Sequence, residues 1–375
     1  MVQSTLRVRL KRGGRMQENR ILVVNLGSTS SKISVFDGDL EVFTQNFDHS
    51  LKEIKAHPGI DGQYEMRKSL IEKTMLKNGF VFKDFNAIAV RGLGAPKRYH
   101  GGAYLIDDVV AQEARQGFHV GMALGAIIAN DWSKQYDLPA YLYDVVYTDE
   151  FQDVARISGS PLIERSGAVH TLNARAVARQ VASDQGRLYE EMIYIVCHLG
   201  GGISTSLHQY GHIVDGFATD EGAFTPDRTG KLPLKKFLKL CKSGRYSDQE
   251  LNKLIQGNGG LIGYLGINDC KEIEQRIADG DEHATLVYKA MAYQVAQDIG
   301  AMAVVAKGKM DAIIITGGIA YSKMFTGWIK EYVAFLAPIV LVPGSMEMQA
   351  LARGVNRVLN GEEKANRYIL GETVL

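Results

Sequence analysis

At 375 residues the chain is too long for one ordinary hydrophobic core and suits two domains. Hydrophobic residues make up 46% and charged residues 23%, and the formal net charge is +1, which argues against a nucleic-acid surface or a polybasic membrane patch. Cys197, Cys241 and Cys270 form no CxxC pair, so a reducing compartment is expected, without a disulfide framework or structural zinc. No run approaches the ~18 apolar residues of a spanning helix.

In chain order, residues 1–19 carry Arg7, Arg9, Lys11, Arg12 and Arg15 against Glu18, with Gly13 and Gly14 together. This stretch has no apolar segment of a secretory signal. A solvated, disordered tail is expected, or an upstream start ahead of Met16; a targeting arm is the alternative. The apolar run Ile21–Val24 then meets Asn25-Leu-Gly-Ser-Thr-Ser-Ser-Lys32, and Ile33–Phe36 follows. This reads as two strands around a polar turn of eight residues. Such a turn offers backbone N–H groups, hydroxyls, an amide and an ammonium, which suit a phosphate. Asp37-Gly-Asp39 signals a hairpin into a third strand, Leu40–Phe47.

Asn86–Val90 is a buried-type strand that runs through Arg91 into a glycine turn ending at Pro96. Asp107–Gln116 and Val120–Ser133 have helical spacing, and Ala140–Asp144 is a strand ending in an acid. Thr171 is the expected N-cap of a helix over Leu172–Val181. The first pattern then recurs. Ile193–Val196 leads into Cys197-His-Leu-Gly-Gly-Gly202, then Ile203–Leu207, then Gln209-Tyr-Gly211 and a third strand from His212. Glu282–Lys307 reads as a long buried helix, and Asp311–Ala320 repeats the strand-to-glycine form of Asn86–Pro96. The chain therefore reads as a diverged duplication of the α/β class. Its expected divisions are a tail at 1–19, a first domain at 20–165 and a second, nucleotide-binding domain at 166–347. Residues 348–375 would pack back onto the first.

These motifs resemble the acetokinase family of the acetate and sugar kinase/Hsp70/actin superfamily, and within it the butyrate kinases. The resemblance spans roughly Ile21 to Leu359. It rests on Asn25-x-Gly-Ser-x-Ser-x-Lys32, His198-Leu-Gly-Gly-Gly-Ile-Ser204, Gly317-Gly318, and Phe224-Thr-Pro-Asp-Arg-Thr-Gly230. Ala155–Arg165 looks like butyrate kinases, whereas the residues after Arg91 and Asp144 depart from the acetate kinase pattern. The resemblance implies two actin-like, ribonuclease H-like domains with a nucleotide cleft between them. It also implies a homo-oligomeric cytoplasmic enzyme that uses ATP/ADP with Mg²⁺ on a short-chain carboxylate, with neither nucleic acid nor membrane as partner.

Carried onto this chain, the resemblance gives catalytic roles to Arg91, Asp144, His170 and Arg228. Asn25, Ser28, Ser30, Lys32, His198 and Gly200, Gly201 and Gly202 would hold phosphates. Asp269, Cys270 and Lys271, with Gly317 and Gly318, would meet the adenosine, and Asp144 and Glu347 are the metal candidates. His119 matches a family position less closely than His170 and His198 do. Simpler readings stand beside these: surface salt bridges for the arginines, loop or helix-start acids for Asp144 and Glu347, and a helix N-terminus at Asp269. His208 and His212 fall on a hairpin without a following Glu, so zinc is not expected. A hydroxyl kinase with Asp144 as base and a non-catalytic nucleotide-binding protein are the other two classes.

Overall fold

The computed structural model describes residues 18–92, 99–117 and 119–368. The basic tail through residue 17 and most of the glycine turn after Arg91 lie outside the described residues. Among the described residues, eleven strands form two sheets. The first contains β1 (Arg20–Leu26), β2 (Ser30–Asp37), β3 (Leu40–Asp48), β4 (Ala87–Val90), β5 (Ala103–Leu105) and β6 (Ala140–Tyr143) in the order β3-β2-β1-β4-β6-β5. The second contains β7 (Ile193–Leu199), β8 (Ile203–Gln209), β9 (His212–Phe217), β10 (Ala312–Gly317) and β11 (Ile339–Pro343) in the order β11-β10-β7-β8-β9. Each sheet begins with an antiparallel three-strand meander and continues with two strands parallel to its first. The strand order β3-β2-β1-β4-β6 thus returns as β9-β8-β7-β10-β11, the duplication expected from the sequence.

The helices that cover these sheets are α1 (Gly59–Lys77), α2 (Asp108–Ala114), α3 (Val120–Tyr136), α4 (Thr171–Asp184), α5 (Cys270–Ala278), α6 (Glu282–Val305), α7 (Lys323–Val333) and α8 (Glu347–Leu359). Strand β1 shows why its apolar residues run without alternation. Leu22 and Val24 join Ile71 of α1 and Ile127 of α3, while Ile21 and Val23 join Leu351 and Val355 of α8. Both faces are covered, so both sets of side chains must be apolar. Strand β7 repeats the arrangement, with Ile195 and Cys197 against Val295 and Ile299 of α6, and Tyr194 and Val196 against Val177 and Val181 of α4. Helices α4 and α8 pack on each other, and Leu172 of α4 joins the α8 cluster. The two halves meet through this helix pair.

The first polar turn is tighter than its sequence predicts. Pairing continues through Asn25↔Lys32 to Leu26↔Ser31, so Asn25, Ser30 and Lys32 lie on strands and only Gly27–Thr29 lie between them. Antiparallel pairing satisfies the backbone almost to the tip, which an eight-residue loop would not do. The second turn is equally short: Leu199 pairs with Ile203 across Gly200–Gly202. Glycine is needed where β8 reverses into β9, since Tyr210 and Gly211 both take positive φ, 51° and 91°. That is the two-residue hairpin form matching strand twist.

Candidate active site

The first turn is held from behind by a residue far away in sequence. Arg67 of α1 is fully buried and donates from Nη1 to the Ser30 carbonyl at 2.8 Å and from Nη2 to the Ser28 carbonyl at 3.0 Å. The same Nη1 lies 3.2 Å from Ser31 Oγ, and Nε donates to Gln63. With its carbonyls gripped and the Gly27 N–H donating to the Ser30 carbonyl at 2.9 Å, the turn exposes Ser28 and Thr29 at its tip. Helix α3 presses on the other side, where a β-carbon on Gly121 would lie 2.3 Å from the Gly27 carbonyl oxygen. Beside the turn, Glu347 Oε2 accepts from Asn25 Nδ2 at 3.1 Å and from Arg91 Nη1 at 3.0 Å. Three residues from β1, the end of β4 and the start of α8 are thereby joined.

The second turn faces two imidazoles and an arginine. A β-carbon on Gly202 would lie 3.2 Å from His170 Cε1 and 3.3 Å from Arg228 Nη1. The rings of His170 and His198 stack with centroids 4.3 Å apart. His170 adopts a left-handed backbone, φ 54°, which is uncommon for a side chain of this size and characteristic of functional positions. This geometry makes His170 the N-cap residue of α4 and Thr171 its first helical residue. The expected Thr171 cap is therefore corrected: its hydroxyl is buried and has no hydrogen-bond partner among the described residues.

Asn173 settles the protonation of His198. The Met346 N–H donates to Asn173 Oδ1 at 2.8 Å, so the other end of that amide is the NH₂ group, which donates to His198 Nδ1 at 3.0 Å. With Nδ1 accepting, the neutral ring carries its proton on Nε2. Burial, with a contribution from Arg91, pushes the His198 pKa down to about 4. His170 is also held well below the usual histidine range, first by burial and then by His198, Arg228 and Arg91. Both rings are thus neutral near pH 7. His198 Nε2–H faces the glycine turn, because a β-carbon on Gly200 would lie 3.1 Å from that nitrogen.

Arg228 is positioned by its loop. Thr225 Oγ1 accepts its backbone N–H at 3.0 Å, and Arg228 Nη1 donates to Thr219 Oγ1 at 2.7 Å. Behind the loop, the buried Asp298 carboxylate accepts from the Ala223 N–H and from Lys231 Nζ. Gly317, at φ 92°, completes the close approach: a β-carbon there would lie 2.3 Å from the Leu199 carbonyl oxygen. Gly318 and Gly201 have open space in front of them.

The remaining candidates are placed differently. Asp144 is 3% exposed, accepts the Gly102 N–H at 2.8 Å and lies 3.4 Å from Arg175, which also pairs with Glu150 at 2.6 Å. Asp144 thus forms a buried pair with Arg175 through Oδ1, and the metal and catalytic roles given to it by the resemblance stay proposals. Asp269 caps α5, accepting the Lys271 N–H at 2.8 Å, and Cys270 packs against the second core with its thiol pushed up to about 11 by burial. Lys32 is exposed on β2 opposite Asn25.

Glu347 is the carboxylate that faces both Arg91 and the first turn. No group of three or more His, Cys, Asp or Glu side chains among the described residues could hold a metal ion. Glu347 takes its contacts with Asn25 and Arg91 both on Oε2, and one carboxylate sharing its oxygens would suit Mg²⁺, which keeps several waters and takes most other ligands from substrate phosphates. The sequence reading missed Arg67, Asn173, Ser204 and Thr219. Ser204 was visible inside the His198–Ser204 motif, and its Oγ lies 2.9 Å from His170 Nδ1. Nothing local marks the others.

Comparison with known proteins places this architecture. Residues 140–327 match the family model described as the acetokinase family. Butyrate kinase 2 from Clostridium acetobutylicum is 42% identical over 354 residues, covering 93% of this chain and 99% of that protein. Among solved structures, the acetate kinase of Porphyromonas gingivalis superposes with a TM-score of 0.75 at 17% identity, covering 91% of this chain and all of that one. A propionate kinase from Francisella tularensis gives 0.71 at 18% identity, with 90% and 98% covered. The fold is therefore the two-domain, actin-like architecture of acetate kinases. The chain belongs to the acetokinase family of carboxylate kinases.

Proposed function

We propose that the chain is an ATP-dependent butanoate kinase working reversibly in the cytoplasm, converting butanoate and ATP to butanoyl phosphate and ADP. The observation that carries this reading is the chemistry gathered at the two turns. Arg91, Arg228 and two neutral imidazoles converge there, while the nearby carboxylates are occupied, Glu347 by Arg91 and Asp144 by Arg175. A hydroxyl acceptor requires a base to remove its proton. A short fatty acid, with a pKa of about 4 to 5, arrives already ionised and requires none.

The obstacle is then repulsion between two anions. The carboxylate oxygen forms a bond to the γ-phosphorus as the bond to the ADP oxygen breaks, and no proton moves. Arg91 and Arg228 offset the charge on the transferring group, which is most valuable where water is excluded. His198 Nε2–H and the Gly201 and Gly202 N–H groups hold phosphate oxygens while Gly200 keeps the turn closed, its N–H on the Gly202 carbonyl; Asn25, Ser28, Ser30 and Lys32 do the same at the first turn. Ser204 orients His170 for the same group. Glu347 would hold Mg²⁺ together with the polyphosphate, and the ion would supply further positive charge. Asp269, Cys270, Lys271, Gly317 and Gly318 remain the adenosine side.

Trapping the acyl phosphate with hydroxylamine while varying the acid tests the reading. Each methylene entering an apolar pocket contributes about 0.8 kcal/mol, roughly fourfold in kcat/KM. A gentle rise from acetate through propanoate to butanoate is expected, then a steep fall by six to eight carbons where the pocket ends. Branched four- and five-carbon acids should serve well, and dicarboxylates poorly. A maximum at acetate would overturn butanoate as the substrate. Absence of trapped product with every acid would overturn carboxylate kinase activity.

A further inference from the structure

Farther along α4 and α8 from the phosphate turns, the helix pair encloses a cavity of about 330 Å³. It starts beside Asn173, where Leu172 and Met346 line it, and runs along α4 as far as Ser183. Four arginines line it: Arg175 and Arg179 from α4, and Arg353 and Arg357 from α8. Asp39 and Asp144 are the lining acids.

The internal pairs leave much of this donor set unused. Arg175 is matched by Asp144 and Glu150, Arg179 by Glu190 at 2.8 Å and Arg357 by Glu363 at 3.1 Å. Arg353 donates to Gln180 at 2.7 Å, but its carboxylate, Asp39, stands 3.6 Å away. The Nε atoms of Arg175, Arg179 and Arg353 are buried and have no hydrogen-bond partner among the described residues. Those three Nε groups are shut off from the cavity, so a ligand in it meets the outer Nη groups of the same guanidinium groups. Guanidinium groups also suit planar, two-point recognition of phosphate or carboxylate.

We propose that this cavity is a regulatory site for a small, multiply charged oxyanion. Because α4 packs on the second sheet and α8 on the first, a ligand bridging Arg179 and Arg353 ties together the elements that join the two halves. Met346 links it to catalysis: it lines the cavity while its N–H holds the Asn173 amide that orients His198.

The test titrates the full chain calorimetrically with pyrophosphate and, separately, with succinate, with and without saturating Mg-ADP on the catalytic turns. Binding of either anion that survives Mg-ADP is expected and identifies the preferred head group. In the Arg179→Gln/Arg353→Gln double variant it should weaken at least ~10-fold, since two charged donors are lost. Turnover without added anion should stay unchanged, while any response of KM to the anion disappears. Should the double variant lose its native far-UV spectrum, Ala176→Glu, which projects a carboxylate into the cavity and keeps every arginine, should abolish binding instead. Equal binding by native and variant proteins, no binding of either anion, or loss of all binding under Mg-ADP would overturn the proposal.

Discussion

Replacing Arg67 with Met separates the stability of the fold from the shape of its first phosphate turn. The buried guanidinium makes three hydrogen bonds to the turn, to Ser28 O, Ser30 O and Ser31 Oγ, and a fourth to Gln63. Hydrogen bonds from a charged donor contribute about 1.5–3 kcal/mol each, so the gross loss is several kcal/mol. Two effects reduce it. Burial disfavours the charged form and lowers the Arg67 pKa, so an apolar side chain of similar length removes a desolvation cost. The exposed Ser28 can also recover water on its carbonyl. We therefore expect a net loss of only about 1–3 kcal/mol, a few degrees in Tm for a protein of this size. Function should respond more strongly, because the turn amides need their carbonyls fixed and the cation beneath attracts phosphate. KM for ATP should rise ~10-fold or more, with kcat falling similarly. Arg67→Lys should recover part of the Tm and little of the activity, since one ammonium cannot reach both carbonyls as a fork does. Steady-state kinetics beside a melting curve decide the matter. An ATP KM within twofold of native in the Met variant would refute the assigned role.

Four further outcomes are expected. Glu347→Gln should raise the Mg²⁺ concentration for half-maximal activity ~10-fold or more, whereas a fall in kcat with unchanged Mg²⁺ dependence would restrict Glu347 to pairing Arg91. Asp144→Asn should lower Tm by several degrees, because Arg175 keeps only Glu150, with Mg²⁺ dependence unaltered; a raised Mg²⁺ requirement would favour a metal role for Asp144. Arg91→Ala and Arg228→Ala should each lower kcat at least ~10²-fold, and a change confined to KM would make them ground-state binders. Acid should destabilise the fold through its buried histidines, since burial holds His198 down to about 4 and His208 to about 3. The unfolded chain takes up protons below about pH 6.5 while these folded rings do not, so stability is full above that pH and is lost as pH falls toward 4. At pH 5 each costs roughly 2 kcal/mol; a His208→Gln variant with the same urea midpoint dependence on pH as native would contradict this.

The glycine turns and their duplication were legible because each depends on neighbours in the chain. A strand covered on both faces must be apolar throughout, and a turn pressed by another backbone must be glycine, as at Gly317. What escaped depends on contacts between distant segments. Arg67 reaches Ser28, Ser30 and Ser31 across 36 to 39 positions, and Asn173 meets Met346 across 173. In sequence each is an ordinary polar residue on a helix. Asp144 shows the complementary ambiguity. An acid at a strand end carries the same local signal whether it faces solvent and metal or, as here, a buried arginine on the next helix.

The duplication conceals a division of labour that only side-chain placement reveals. The β1–β2 turn has a permanent cation beneath it, Arg67, fixed to the turn carbonyls. Among the described residues the β7–β8 turn has no such cation in that role; two imidazoles stand in front of it, held neutral by burial and by nearby arginines. A neutral N–H donates to a phosphate oxygen without the cost of burying another charge beside Arg91 and Arg228. In the proposed reaction one turn would attract the anion, while the other would position it between the two arginines with hydrogen bonds whose strength does not change with pH above about 5, given His198 at about 4. Equal strand order does not give equal chemistry. The difference lies in one arginine on α1 and in the two histidines at His170 and His198.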